Sequence, residues 1–551
     1  MKFRIIKTLL TLILVMTSVS SCSSSCSSSQ YVDARPNEEI YQTAMKLQKL
    51  IKKKQSEGID VSKALSLDLQ SRESMRQGQP EECLRQLKEA VSILEDKGYQ
   101  TQKLSGKVVS TPGREDSPFG IHEVRFYSED EVNATKDLGI QYTRNAPYGS
   151  IVWDEIEKTR GQYNWNYSDG NITAAYDLGI KSFITIYPNR TKGPSKVPDN
   201  LDWFLEFLKR ASERYDGDGH SDAPGSPKID VIQIGNEVDG HFWDDTPENY
   251  ALLLKKSYLA IKSVSPHMKV AIAGVATPTG FYSTYIPILD ELNRLKQNPN
   301  DQYFDIFDIH WSAQFPGDHD YAVITLPFGQ YELKKYVSDV KNAVKQINYE
   351  NVEYYITEMS DYSDSPQGYD YHSESYHASS VIKRYVYSLA CGVDKIYWSG
   401  IFEEHQFGGR KNGYFDHVGL INNPRNDGKS HKKLAYYTYK KMVEILEGSD
   451  WNTIETINES GGIFFYRLME KGKPVWVGWN DNEKSQTTQL TLDGIKKNTD
   501  VVVTKAVPNC SSLENEDLCS NAFGKVPVVI LKDSPEKVIQ FKLDAVPVFV
   551  H

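Results

Sequence analysis

The sequence has no basic surplus: 63 Lys and Arg face 74 Asp and Glu, for a formal net charge of −11. Without a cationic excess to displace counterions from a phosphate backbone, nucleic acid is excluded as the expected partner. Cysteine is scarce, 6 in 551 residues, and no Cys/His spacing matches a zinc site, so no metal is expected. Cys22 and Cys26 lie in the leader region, Cys83 and Cys391 in helical patterns, and only Cys510 and Cys519, which share one loop, suggest a disulfide. No apolar run reaches the roughly 20 residues that span a bilayer. A Gly-rich phosphate loop is missing too, which speaks against a doubly wound nucleotide-binding sheet. No organic cofactor is expected.

What is present is a globular balance. The 39% hydrophobic and 25% charged residues exclude a disordered chain, and 551 residues are too many for one core, so two or three domains are expected. Aromatics reach 11%, with 34 Tyr and 9 Trp. Such rings suit stacking on sugars, and they suit large cores equally well.

The leader has a positive region (Lys2, Arg4, Lys7), an apolar region from Leu9 to Met16, and then Val19-Ser20-Ser21-Cys22. That arrangement resembles the bacterial lipobox, which implies a signal peptide over residues 1–21 and a lipid on Cys22; Cys26, preceded by three serines, fits less well. A plain secretory signal is the alternative. The Ser-rich stretch over 22–35 reads as a tether. The expected location is the cell envelope, at the outer membrane or cell surface, with the membrane as a partner through the N-terminal lipid.

Residues 36–100 show helical periodicity in Ile40, Met45, Leu47, Leu50 and Ile51 and again in Leu84, Leu87, Ala90, Val91 and Leu94. Over 101–449, short β-rich runs alternate with amphipathic helical segments. The runs end near Ile121, Arg144, Tyr187, Gly235, Gly274, His310, Glu358 and Trp398, and eight such units predict an α/β fold, a (β/α)8 TIM barrel. Helices are expected over Leu201 to Tyr215, Pro247 to Val264, Tyr331 to Ile347 and Tyr376 to Ala390. Over 450–551 only strand-like runs remain, among them Val475 to Trp479 and Val528 to Ile530, which predicts a C-terminal β-sandwich domain.

In a barrel the active site lies at the C-terminal ends of the strands, so polar residues that close apolar runs matter most. Glu237 follows the fourth run and Glu358 closes the seventh. Either alone is explained by capping the next helix. Two carboxylates facing one mouth can instead divide the work of acid/base and nucleophile.

Strands four and seven carry the two catalytic carboxylates throughout glycoside hydrolase clan A, and Gly235-Asn236-Glu237 resembles that clan's Asn-Glu signature. The stretch Asn236 to Trp243 is similar to the Asn-Glu-Pro-Asn…Phe-Trp run of family 39, with Val238 in place of Pro; a family 5-like relation is the other option. The resemblance implies Glu237 as acid/base, Glu358 as nucleophile, Arg144 as a partner holding Glu358 ionised, and Asn236 as a donor to the sugar 2-hydroxyl. It aligns His310 with the clan's strand-six His. Ser312 stands where that clan has Tyr, leaving Trp311 to fill the space. Trp398 is implied as the aromatic floor under the sugar, and Trp243 and His122 are further substrate-binding candidates. The segment Trp153 to Trp165 resembles a structural loop after strand two, and Glu403, Glu404 and His405 are candidates for the mouth.

The expected function is a retaining glycosidase cleaving O-glycosidic, β-configured bonds of an oligo- or polysaccharide by double displacement. A surface glycan-binding lipoprotein without turnover and a transglycosylase are the alternatives.

Overall fold

The computed structural model describes residues 35–56, 79–95, 117–126, 128–145, 151–188, 194–314, 321–327, 329–428, 431–482, 484–495, 499–513, 516–533 and 536–551, with single positions between 63 and 74. The expected signal peptide, Cys22 and the tether up to residue 34 lie outside the described residues. The chain divides into two compact units, 1–101 and 102–551.

The first unit is helical. In α1 (Arg35–Ser56) Leu47 and Ile51 sit one turn apart, and in α2 (Pro80–Glu95) Cys83, Leu87, Ala90, Val91 and Leu94 repeat at helical spacing; together these faces form its core. No helix among the described residues is long and apolar enough to cross a membrane.

The second unit opens with strands β1 (Phe119–His122), β2 (Tyr142–Asn145), β3 (Lys181–Ile186), β4 (Val231–Ile234), β5 (Lys269–Ala271) and β6 (Ile306–Ser312). A hairpin of β7 (Val323–Leu326) and β8 (Gly329–Glu332) is inserted before β9 (Glu353–Ser360) and β10 (Lys395–Ser399). β1 to β6, β9 and β10 form a closed parallel barrel, sealed where Phe119 to His122 pair with Ile396 to Ser399. Glycine is required at position 120, where a Cβ would stand 2.7 Å from the Tyr397 ring. The expected strands are all present, although β5 stops at Ala271 rather than Gly274, and β6 and β9 run on to Ser312 and Ser360.

The surrounding helices follow their sequence signals. Phe204, Phe207, Leu208 and Ala211 form the buried stripe of the helix Leu201–Arg214. The helix Pro247–Lys262 starts with Thr246 accepting from Asn249 N and with Pro247 in its first turn.

The C-terminal β-sandwich pairs a six-stranded sheet, ordered β11 (Glu455–Ser460), β12 (Ile463–Glu470), β13 (Lys473–Asn480), β19 (Val548–Val550), β15 (Val503–Pro508), β16 (Phe523–Lys525), with a three-stranded sheet of β14 (Gln486–Leu492), β18 (Lys537–Leu543) and β17 (Val529–Asp533). Alternation gives the larger sheet two apolar faces. Phe465, Trp476, Val548 and Val550 pack with Leu490, Ile539 and Phe541 inside the sandwich, whereas Tyr466, Leu468, Val477, Trp479 and Phe549 join the core that continues into the barrel. Barrel and sandwich thus share one unit. Cys510 and Cys519 are disulfide-bonded.

Candidate active site

The barrel interior is layered by strand alternation. At its N-terminal end Tyr142, Phe183, Val231, Ala271, Ile306, Tyr355 and Tyr397 form an apolar plug. Two residues on, the same faces of β2, β3, β4, β6 and β9 turn polar with Arg144, Thr185, Gln233, Asp308 and Thr357, all buried. Gln233 ties this layer together: its Oε1 accepts from Arg144 Nη2 at 2.8 Å and from Thr185 Oγ1 at 2.8 Å, and its Nε2 donates to Asp308 Oδ2 at 2.6 Å. A buried guanidinium and a buried carboxylate are tolerable only when so connected.

Above this layer stand the two glutamates. β9 carries an extra residue against β6, since Ile309 pairs with Ile356 but His310 pairs with Glu358, and β10 shows the same slip. This bulge lets consecutive side chains, Thr357 and Glu358, both point into the barrel, which regular pleating forbids. Glu358 Oε1 accepts from Arg144 Nη1 at 2.7 Å. Arg144 Nη2 donates to Asn236 Oδ1 at 2.5 Å, which leaves the Asn236 amide N–H groups toward the cavity. Glu237 follows the turn at Gly235 (φ +75°) and itself adopts φ +41°, an uncommon backbone state for a non-glycine residue that aims its carboxylate inward.

His310 joins the two. Its Nδ1 lies 2.7 Å from Glu237 Oε1, and its Nε2 lies 3.7 Å from both Glu358 Oε1 and Asp308 Oδ2. Burial alone would lower the imidazole pKa, but Glu358, Asp308 and Glu237 outweigh it and raise it to about 10. Burial would likewise raise Glu358, yet the cationic surroundings of His310 and Arg144 bring it down to about 2. At neutral pH the centre therefore holds an imidazolium beside an ionised Glu358. His122, pushed down to about 3 chiefly by burial, is neutral, and its Nδ1 accepts from Arg144 Nη1 at 3.3 Å.

One oxygen each of Glu237 and Glu358 and a nitrogen of His310 lie within 4.8 Å of one another, a cluster compatible in spacing with a metal. Arg144 Nη1 already pairs with Glu358 Oε1 at 2.7 Å, so a cation bound there would share that carboxylate with a guanidinium.

The carboxylates open into a cavity of about 790 Å³ lined by, among others, His122, Asn236, Glu237, His310 and Glu358. Their side chains are 22% and 18% exposed for Glu237 and Glu358, enough to meet a ligand. Other expected contacts are corrected. Trp398 is fully buried and faces the helical layer, because its neighbours Tyr397 and Ser399 take the inward positions. Its Nε1 donates to Val418 O at 3.2 Å and its ring stacks on His377, so it is no floor for a sugar. Trp311, between the inward-facing His310 and Ser312, is likewise buried against Tyr336 and donates to Tyr321 O. Trp243 packs edge-on against Tyr250 outside the cavity lining. Arg144 is fully buried and acts through Glu358 and Asn236 rather than on a ligand. Glu403 is buried in an ion pair with Lys433, His405 bonds Asn426, and only Glu404 of that trio lines the cavity. The segment Trp153 to Trp165 packs on the helix Leu201–Arg214, as in the Trp165–Phe207 stack.

The aromatic surface at the mouth comes instead from loops: Phe242 after β4, Tyr369 after β9, and Phe402, Phe407 and Phe415 after β10. Phe407 stays 44% exposed, its ring centroid 4.8 Å from that of Phe415 in a tilted arrangement. Across from them Glu123 (φ +55°), in the wall beside Glu404, is raised to about 8 by burial and by that neighbour. Loop aromatics carry no periodic signal, so sequence reasoning missed them. Gln233 and Asp308 did carry one, as polar residues inside otherwise apolar strand runs.

No protein-family model and no curated protein matches the sequence. In three dimensions the chain is similar to a family 39 glycoside hydrolase from the gut symbiont Bacteroides cellulosilyticus WH2, with TM-score 0.58, 15% identity, and 79% of this chain and 80% of that one covered. It is also similar to a GH51 arabinofuranosidase from Xanthomonas axonopodis pv. citri (TM-score 0.52, 12% identity, 80% and 98% covered) and to a GH39 enzyme from the same organism (TM-score 0.51, 13% identity, 79% and 94% covered). At such identities the shared feature is the fold.

Proposed function

We propose that the chain is a retaining glycoside hydrolase acting on β-configured O-glycosidic bonds of an oligo- or polysaccharide. The observation that carries this reading is the closeness of the two carboxylates: one oxygen of Glu237 and one of Glu358 lie within 4.8 Å, which supports the roughly 5–5.5 Å arrangement of a double displacement over the wider spacing of an inverting pair. The glycoside hydrolases that share the fold add support.

In the first half-reaction Glu358 attacks the anomeric carbon as the bond to the leaving oxygen breaks and Glu237 gives that oxygen its proton. Arg144 holds the Glu358 oxygen in place at 2.7 Å, and the His310 N–H at 2.7 Å receives the carboxylate that Glu237 becomes. In the second, Glu237 takes a proton from water, which attacks the glycosyl-enzyme and frees Glu358. In this reading the Asn236 amide, whose oxygen accepts from Arg144, donates to the sugar 2-hydroxyl.

The test is hydrolysis of activated aryl β-glycosides by Glu358→Ala with and without azide. The expected result is a loss of several orders of magnitude, partly restored by azide with formation of a glycosyl azide; wild-type rates in the variant would falsify the nucleophile assignment. We further propose that Cys22 is lipidated and anchors the enzyme in the cell envelope. Palmitate labelling in cells should mark the wild type and vanish in Cys22→Ser; label retained in that variant removes the proposal.

A further inference from the structure

Asp308 is fully buried in β6 and accepts from Gln233 Nε2 at 2.6 Å, Thr357 Oγ1 at 2.6 Å and Thr357 N at 3.2 Å. A threonine hydroxyl owns one proton. Donated to Asp308, it leaves only lone pairs facing His310 Nε2 at 3.4 Å, so this nitrogen must itself carry a proton. The other ring nitrogen lies 2.7 Å from Glu237 Oε1, where a carboxylate accepts. Whenever Glu237 is ionised, as it is between the two half-reactions, the two contacts together require both nitrogens to be protonated.

We propose that Asp308, acting through Thr357, is a positioning residue that keeps His310 an imidazolium and so keeps an N–H donor on Glu237 through both half-reactions. The inference rests on the reading of Glu237 as acid/base. Every element around the ring fits it. Glu237 after β4, Glu358 on β9 and Asp308 on β6 are the carboxylates that face His310. Of the other groups, Arg144 on β2 is engaged by Glu358, Gln233 and Asn236, and His122 on β1 is neutral. Just past β5 stands Gly274, where a Cβ would lie 2.1 Å from His310 Nε2 and 2.8 Å from Asp308 Oδ2, so the ring sits where it does because that residue has no side chain. The β9 bulge supplies the remaining part, by turning Glu358 inward beside Thr357, which regular pleating already points into the barrel.

The experiment compares full-length Asp308→Asn, Thr357→Val and Thr357→Ser with wild type in two measurements. One is the titration of the His310 ring nitrogens by NMR, assigned through its loss in His310→Gln; the other is the pH profile of kcat/KM on an activated aryl glycoside. In Asp308→Asn and Thr357→Val the His310 midpoint should fall by at least about one pH unit, and the alkaline limb of the profile, which reports Glu237 as acid, should move up as the imidazolium that favours its carboxylate is lost. Thr357→Ser, which keeps the hydroxyl, should match wild type in both. An unchanged midpoint in folded Asp308→Asn and Thr357→Val overturns the proposal, as does Thr357→Ser behaving like Thr357→Val. If Asp308→Asn does not fold, the Thr357 pair decides. A lowered midpoint in a protein that cleaves no glycoside would remove the hydrolase reading while leaving the Asp308–Thr357–His310 chain standing.

Discussion

Burying a carboxylate beside a catalytic cavity costs several kcal/mol unless partners offset it. At Glu358 they do, through Arg144 and the His310 imidazolium, and the same partners fix the pH range over which the centre keeps its charges. His310 is raised from 6.5 to about 10, so its charged form stabilises the fold fully below about pH 6.5, and that contribution is lost as pH rises through about 10. Glu358 is lowered from 4.5 to about 2; its contribution is complete above about pH 4.5 and is lost as pH falls toward 2. Chemical denaturation of wild type and His310→Gln between pH 6.5 and about 10 checks the histidine sign. The stability gap between them should narrow as pH rises, and a gap that stays constant or widens would contradict the assigned charge.

At the scale of single elements, two backbone features aim these side chains. Gly274, just past β5, leaves the space that His310 Nε2 and Asp308 Oδ2 occupy. Gly274→Ala should therefore displace both, lowering kcat/KM by at least about 100-fold and stability by about 1–3 kcal/mol, as overpacking of a tight site generally does; wild-type kinetics in the variant would show that the ring moves without penalty. The other feature is the β9 bulge, and it marks the limit of what the sequence discloses. Glu358 is recognisable as the polar end of an apolar run, and Glu237 by its Asn-Glu pair, so both candidates and the eight barrel strands can be read in advance. Strict alternation from Tyr355 through Thr357 would nevertheless send Glu358 outward, and only the register slip against β6 turns it in. Direction is also what defeats the Trp398 and Trp311 expectations: a tryptophan beside a strand end reads alike in the sequence whether it faces a ligand or a helix. Strand limits were least legible at β5, where three residues pair before the chain leaves the sheet.

For the molecule as a whole, the larger sheet of the sandwich is shared between two interiors, because Tyr466, Val477, Trp479 and Phe549 belong to the barrel-side core. Polar contacts reinforce the junction: Lys383 pairs with Asp481 at 2.6 Å, and Tyr321 donates to the same carboxylate at 2.5 Å. Residues 102–551 should melt in one cooperative calorimetric transition, and a chain ended at residue 449 should be insoluble or unfolded; two separable transitions would show that the junction does not couple the parts.

The seam between β1 and β10 also sets an order of events in time. Tyr385 and Tyr439 donate to Gly120 O across sequence separations of 265 and 319 residues. A chain emerging from the ribosome amino-terminus first holds β1 as an unpaired edge until nearly the entire barrel has been synthesised. His122 and Arg144, already register partners across β1 and β2, then meet Glu358 only on closure. A truncated nascent chain has no assembled reaction centre, and until closure the open side of β1 is exposed to wrong pairing.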